Sequence, residues 1–196
     1  MAHHHIYHTE GIILSSRARG EANKIITVYT LEHGLIHTVV QGVRLNKSKL
    51  RFALQDLSYA KVDLVRGRDV WRITSATPVN SFPYARANNA SLTFILRVCK
   101  LIERLCNGEE GNTEVFHDVL QAFILLDTPT QDTHTMEALE LHLVLRILYH
   151  LGYIGESDNL AEYLGGNFTT EKVPALLNQK KPIVLAINNA LRESQL

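Results

Sequence analysis

Five runs rich in β-branched and aromatic residues lie between positions 10 and 79, with no long helical pattern among them. This spacing constrains the fold more than any other feature, because such runs suit pleated packing and leave no room for crossover helices. Residues 10–16 contain GIILSS, residues 24–31 read KIITVYTL, and residues 35–41 read LIHTVVQ. In the third run Ile36, Thr38 and Val40 make the cleaner inward face. Residues 56–65 alternate through Leu57, Tyr59, Val62 and Leu64, and residues 70–79 set Trp71 and Ile73 against Val70, Arg72 and Thr74. The Glu32-His33-Gly34 step supplies a tight turn. Five short strands are expected to curl into a small barrel, since closure removes an unpaired sheet edge. Periodicity does not fix strand order, so an SH3-like barrel fits the same pattern.

Pro78 and Pro83 bracket a change of architecture. Beyond them, Leu92, Ile95, Leu96, Cys99, Ile102 and Leu105 recur at helical intervals and end near Asn107-Gly108. Residues 113–126 and 135–151 carry similar apolar stripes, and shorter helices are expected over 170–178 and 182–193. These stripes need one another for burial, so the second part reads as a helical bundle. The expected class is α+β, with residues 1–80 as a five-stranded barrel and 81–196 as an all-helical domain.

Charge separates along the same division. Residues 8–75 carry eleven Lys or Arg against six Asp or Glu, whereas residues 76–196 carry nine against fourteen. One part is therefore net +5 and the other net −5, in a chain whose total is zero. The cations concentrate in two strand connections. Arg17, Arg19 and Lys24 flank the first; Arg44, Lys47, Lys49 and Arg51 occupy the second. If the two connections meet, each charge there can neutralise a phosphate and release a condensed counterion. Phe52, beside Arg51, is the candidate for stacking on a base, while Trp71 reads first as core. In the helical part Arg97, Lys100 and Arg104 recur near one side of a helix, and Arg146 approaches from another. That arrangement suits an apolar groove, rimmed by cations, for an acidic peptide.

Other chemistries find little support. GxxxxGKS, GxGxxG, G-x-S-x-G and H-E-x-x-H are all missing, so no cofactor and no enzymatic activity are expected. Cys99 and Cys106, the two cysteines, sit in an apolar helical pattern and read as buried thiols. His3, His4 and His5 read as a tail ahead of the fold, and His134, His142 and His150 as surface or packing residues rather than metal ligands. No apolar run approaches the length of a membrane span, and the opening MAHHHIYHTEG lacks the apolar stretch of a secretory leader. Cytoplasmic residence without membrane association is the expectation.

The ordered features GIILSSRARGEANKIITVYTLEHG and VVQGVRLNKSKLRFALQDLS resemble the opening of the bacterial RecO recombination mediator family. Gly11, the run from Gly20 to Ile25, Thr30, Gly34, Gly42-Val43-Arg44, Lys47-Ser48-Lys49 and Leu54-Gln55 carry the likeness. RILYHLGY at positions 146–153 resembles a helix of that family's second domain. The resemblance implies an oligonucleotide-binding (OB) barrel followed by a helical domain. It also implies binding of single- and double-stranded DNA, strand annealing, and recombinase loading onto DNA coated by single-strand-binding protein. The implied partners are RecR, the C-terminal tail of single-strand-binding protein and, in some settings, RecF, with a nucleoid-associated location. Arg17, Arg19, Lys24, Arg44, Lys47, Lys49 and Arg51 would then position phosphates. Arg97, Lys100, Arg104 and Arg146 would meet protein. The chain lacks the four-cysteine zinc site of many relatives. An adaptor that recognises repair proteins but anneals little DNA is the alternative.

Overall fold

The computed structural model describes residues 5–68, 70–106, 108–129, 132–155 and 160–193. The expectations for His3 and His4 lie outside these residues. Two compact units emerge, Met1–Phe82 with Cys106–Gly111, and Pro83–Leu105 with Asn112–Leu196. No described helix is long and apolar enough to cross a membrane.

The first unit contains β1 (Ile6–Arg19), β2 (Asn23–Thr30), β3 (Gly34–Val40), the short helix α1 (Leu50–Ala53), β4 (Ser58–Arg66) and β5 (Trp71–Asn80). The strands pair in the order β1-β2-β3-β5-β4, and β4 returns to β1, so the ring of hydrogen bonds closes. β1 makes closure possible because it is long enough to serve two neighbours. Its first half pairs with β4 and its second half with β2, with a register irregularity between Ile13 and Ser15. Such a bulge bends a strand and sharpens its twist. The sheet is mixed, since β3 and β5 run parallel through Thr38↔Trp71 and Val39↔Arg72.

Alternation fills the interior as a period of two requires. Ile36 and Val40 from β3, Ile26 and Val28 from β2, and Trp71 and Ile73 from β5 join one buried cluster. β4 departs from the sequence expectation. Ser58, Ala60, Val62 and Leu64 face inward, whereas Tyr59 is half-buried and donates to the Glu10 carboxylate. Leu57 belongs to the preceding turn, where its φ is positive, so Tyr59 opens the opposite phase of the strand.

One segment from beyond the helical boundary belongs to the first unit. Cys106–Gly111 lies across the β2–β3 turn, where a Cβ on Gly34 would stand 2.3 Å from the Glu110 carbonyl oxygen and one on Gly111 2.6 Å from the Leu31 carbonyl oxygen. Backbones meet that closely only where neither residue carries a side chain. Arg66 and Glu109 add an ion pair at 2.9 Å.

The second unit consists of α2 (Pro83–Ala87), α3 (Asn89–Leu105), α4 (Thr113–Leu126), α5 (Thr133–His150), α6 (Ala161–Leu164), α7 (Val173–Asn178) and α8 (Lys180–Glu193). α5 is the central element and touches α3, α4, α6, α7 and α8. Its burial extends around much of its circumference, from Ala138 and Leu139 through His142 and Leu143 to Leu145–Leu148, as expected of an interior helix. Caps fix two helix starts. The Asn112 side chain accepts from the Val115 amide, and Asp132 accepts from the His134 and Thr135 amides. An N-terminal five-stranded mixed sheet with a C-terminal helical region makes the class α+β.

Candidate nucleic-acid interface

Three hydrogen bonds draw the two cationic connections together. The Arg44 amide donates to the Ala22 carbonyl at 3.0 Å, and its guanidinium donates through Nη1 to the Gly20 carbonyl at 2.7 Å. The Gly42 amide reaches Asn23 Oδ1 at 2.9 Å. The β1–β2 turn and the β3–α1 loop are therefore one joined surface at the end of the sheet. Gly42 has φ +64, a left-handed turn that a side chain would strain.

Successive turns shape the second connection. Leu45 N donates to Gly42 O, Ser48 N to Leu45 O and Arg51 N to Ser48 O, after which Leu54 N closes α1 onto Leu50 O. Val43, Ala53 and Leu54 are buried and pin the loop to the core. Arg44, Lys47, Lys49 and Arg51 remain exposed, as do Arg17 and Arg19 on the other connection. Lys24 differs. It pairs with the core residue Val40, so its stem follows the inner face and its ammonium donates to Ser16 Oγ at 3.0 Å. Among the described residues, none of these seven cations lies within ion-pair distance of a carboxylate. Their charge is thus not neutralised by a described carboxylate, although Arg44 and Arg51 (the latter 3.5 Å from Asn46 Oδ1) also brace the loop.

The register adds a residue that the sequence reading left out. Arg17 pairs with Ile25, Ile25 with Val39, and Val39 with Arg72. Directly paired residues share a face, so Arg17 and Arg72 flank an aliphatic strip about 14 Å wide at ordinary strand spacing. Alternation against Trp71 and Ile73 was the available signal, but the parallel β3–β5 contact that brings Arg72 here is a tertiary fact. Trp71 lies in the core with the Arg66 guanidinium 5.3 Å above its ring, and offers no open platform to a base.

In the helical unit the candidate residues do not form one cationic rim. Lys100 and Arg104 are exposed on α3, and Arg97 is paired with Glu140 at 2.6 Å. Arg146 is buried. Its Nε and Nη2 donate to the two Asp118 oxygens at 2.7 and 2.8 Å, and its Nη1 donates to the Leu164 and Gly165 carbonyls. His142 Nε2 donates to the Tyr163 carbonyl at 2.9 Å, and burial pulls its imidazole down to about 4. His150 Nε2 stands 3.3 Å from Asp118 Oδ2, and burial lowers it too. The space beside Arg146, about 510 Å3, is bordered by Glu114, His117, Asp118, Gln121 and Asn167 together with Phe168, so its lining mixes charged and polar groups with an aromatic ring. The sequence reading set Arg146 on a cationic rim, although its place within the apolar run LHLVLRIL was an available signal of burial. Among the described residues no group of three His, Cys, Asp or Glu could hold a metal. Burial raises the Cys99 thiol to about 12 and the Cys106 thiol to about 11, which keeps both protonated and unreactive at neutral pH.

Residues 1–82 match the family model described as the N-terminal domain of recombination protein O. Similar curated proteins are each named DNA repair protein RecO. The one from Desulfitobacterium hafniense is 33% identical over 148 residues, 76% of this chain and 52% of that protein. The one from Pelotomaculum thermopropionicum is 32% identical over 122 residues, 62% of this chain and 45% of that protein. The one from Heliobacterium modesticaldum is 28% identical over 151 residues, 77% of this chain and 53% of that protein. The chain spans about half the length of these relatives. The chain is thus similar to RecO proteins through its first unit and part of its second.

Proposed function

We propose that this RecO-like chain is a DNA repair and recombination mediator whose first unit, a barrel of the oligonucleotide-binding type, holds nucleic acid against its joined cationic connections. The observation that carries this reading is the bridge from Arg44 to Gly20 and Ala22, which unites two loops whose cations have no described carboxylate partner. Arg17, Arg19, Arg44, Lys47, Lys49 and Arg51 contact phosphates, Arg72 extends the contact along the sheet, and Phe52 is available to a base. Lys24 contributes to the field from the barrel's inner rim.

The mechanism is noncovalent. Cations held at one surface screen the repulsion between two phosphate backbones and raise the frequency of productive encounters, while base pairing supplies the downhill step. Phosphate contacts leave the base edges free to search for complementarity. Single- and double-stranded DNA are both ligands on this reading, and annealing is the activity. Recombinase loading onto coated DNA requires contact with the tail of single-strand-binding protein and with RecR or RecF. Lys100 and Arg104, with Arg97 once released from Glu140, are the helical-unit cations available for such acidic contacts. Arg146 supports that unit from within.

Strand annealing measured across a salt series tests the proposal. Replacing Arg44, Lys47, Lys49 and Arg51 together with alanine should slow annealing and weaken DNA binding. The slope of log affinity against log salt should become shallower by roughly 3, because each lost phosphate contact removes about 0.7–0.9 of a released counterion. Unchanged affinity in dilute buffer would remove these residues from the interface. RecR binding without DNA binding by the unaltered chain would favour the adaptor.

A further inference from the structure

In the helical unit, α4 turns Glu114, His117, Asp118 and Gln121 toward the segment that follows α6. Spacings of three and four residues set these side chains on one stripe. Two cavities, of about 510 and 480 Å3, are both bordered by Glu114, Arg146 and Gly166, so they are arms of one cleft. The cation in its floor is already matched. Arg146 is closed on both Asp118 oxygens and on the Leu164 and Gly165 carbonyls. The rim differs. Glu114 is exposed, and among the described residues no cation lies within ion-pair distance of its carboxylate. His150 Nε2, buried in the second arm, is 3.3 Å from Asp118 Oδ2 but makes no hydrogen bond of ordinary angle. The Gly166 and Asn167 amides have no described acceptor either.

We propose that this cleft receives an arginine side chain from a partner protein, with Glu114 pairing the guanidinium while Gln121, Asn167 and the Gly166 amide meet the backbone of the same segment. The site is separate from the barrel and does not depend on its nucleic-acid reading. Its chemistry selects the occupant. A carboxylate and a guanidinium form two parallel hydrogen bonds, and a peptide backbone supplies both the donors and the acceptors that a mixed polar rim requires. Phe168, stacked on His142 with ring centroids 4.8 Å apart, adds an aromatic wall of the kind a guanidinium plane rests against. An acidic peptide would meet the Glu114 charge while the guanidinium in the floor is already occupied. Nucleic acid would be repelled for the same reason, and residues 76–196 carry a net −5. A divalent ion finds no group of three His, Cys, Asp or Glu among the described residues.

Fluorescence anisotropy on the full chain tests this with two labelled hexapeptides, one alternating arginine with glycine and the other alternating glutamate with glycine. The arginine peptide should bind the parent in dilute buffer and dissociate as salt is added, because the rim is open to solvent. Glu114→Gln keeps the shape of the side chain and removes its charge. It should weaken the arginine peptide about fivefold, the upper scale for an ion pair exposed to water. Glu193→Gln makes the same change of charge at the exposed end of α8 and should alter binding by less than about twofold. Equal losses in the two variants would reduce the effect to net charge and overturn the inference. Tighter binding of the glutamate peptide, or no binding of the arginine peptide by the parent, would overturn it as well. Amide NMR supplies a second reading that needs no variant. Titration with the arginine peptide should shift the Gly166 and Asn167 resonances, and binding that leaves both unmoved would place the peptide elsewhere and sink the assignment.

Discussion

The two units use the same residue types for opposite ends. In the sheet unit, Arg17, Arg19, Arg44, Lys47, Lys49 and Arg51 are exposed and no described carboxylate pairs with them. In the helical unit, Arg146 is closed on Asp118, Arg97 on Glu140 and Lys180 on Glu137, while Lys172 donates to the Glu162 and Gly165 carbonyls. An unpaired surface charge keeps its hydration and its field, and contributes little to folding. A buried charge must be matched, and once matched it fixes the elements that supply its partners. The net charges of the two stretches of sequence, +5 for residues 8–75 and −5 for residues 76–196, hide this difference. Pairing reveals it.

The largest test removes the interior charge. Arg146→Ala would leave the Asp118 carboxylate buried and the Leu164 and Gly165 carbonyls without their donor. Breaking such a pair costs about 3–5 kcal/mol, which urea denaturation of the full chain would register in the transition of the helical unit. A loss under about 1 kcal/mol would place Arg146 with the surface pairs and break the contrast. Replacing both partners, by Arg146→Met with Asp118→Leu, should recover much of the stability, because no orphaned charge remains.

Acid provides the next largest effect. His142 is neutral in the folded chain, with burial setting its proton affinity at about 4 against an ordinary 6.5. As pH falls below about 6.5 the unfolded chain takes up that proton first, so the stability present above that value is lost progressively down to about 4. The two values differ enough to make the loss roughly 3 kcal/mol. His150 shifts in the same direction, also through burial, and adds to the trend. Denaturation at a series of pH values should show the helical unit weakening over this range. A His142→Gln chain, which keeps a side-chain donor for the Tyr163 carbonyl, should show a flatter dependence. An identical slope in both chains would relocate the acid sensitivity to carboxylates.

The smallest test concerns the exposed pair. Arg97→Ala should change stability by no more than about 1 kcal/mol, since the Arg97–Glu140 pair is open to solvent and screened by salt. A larger loss would mean that α3 and α5 depend on that contact, and would narrow the distinction between surface and interior cations.

Much of the sheet unit was legible because strand burial follows a period of two. Ile36, Thr38 and Val40 face inward as their alternation requires, and Trp71 and Ile73 do the same. The phase of β4 was harder to read. Leu57 occupies a turn with positive φ, so the strand begins one residue later and Tyr59 falls outside. α1 escaped notice because four residues are too few to show a helical period. Lys24 was grouped with Arg17 and Arg19 by proximity in the chain, whereas its register with Val40 sends it along the inner face. The long helices could be read from their stripes, yet the fate of Arg146 depended on Asp118, 28 positions away.

The amino-acid order alone determined where strands give way to helices, which strand faces are apolar, and where positive charge accumulates. These follow from interactions between residues a few positions apart, which local periodicity and composition record. Only the tertiary structure decided that Gly20 and Arg44 meet, that Arg72 joins their sheet face, that Cys106–Gly111 returns to the β2–β3 turn, and that Arg146 is enclosed. Each of these rests on a contact between distant segments, whose energy depends on geometry that no local pattern encodes.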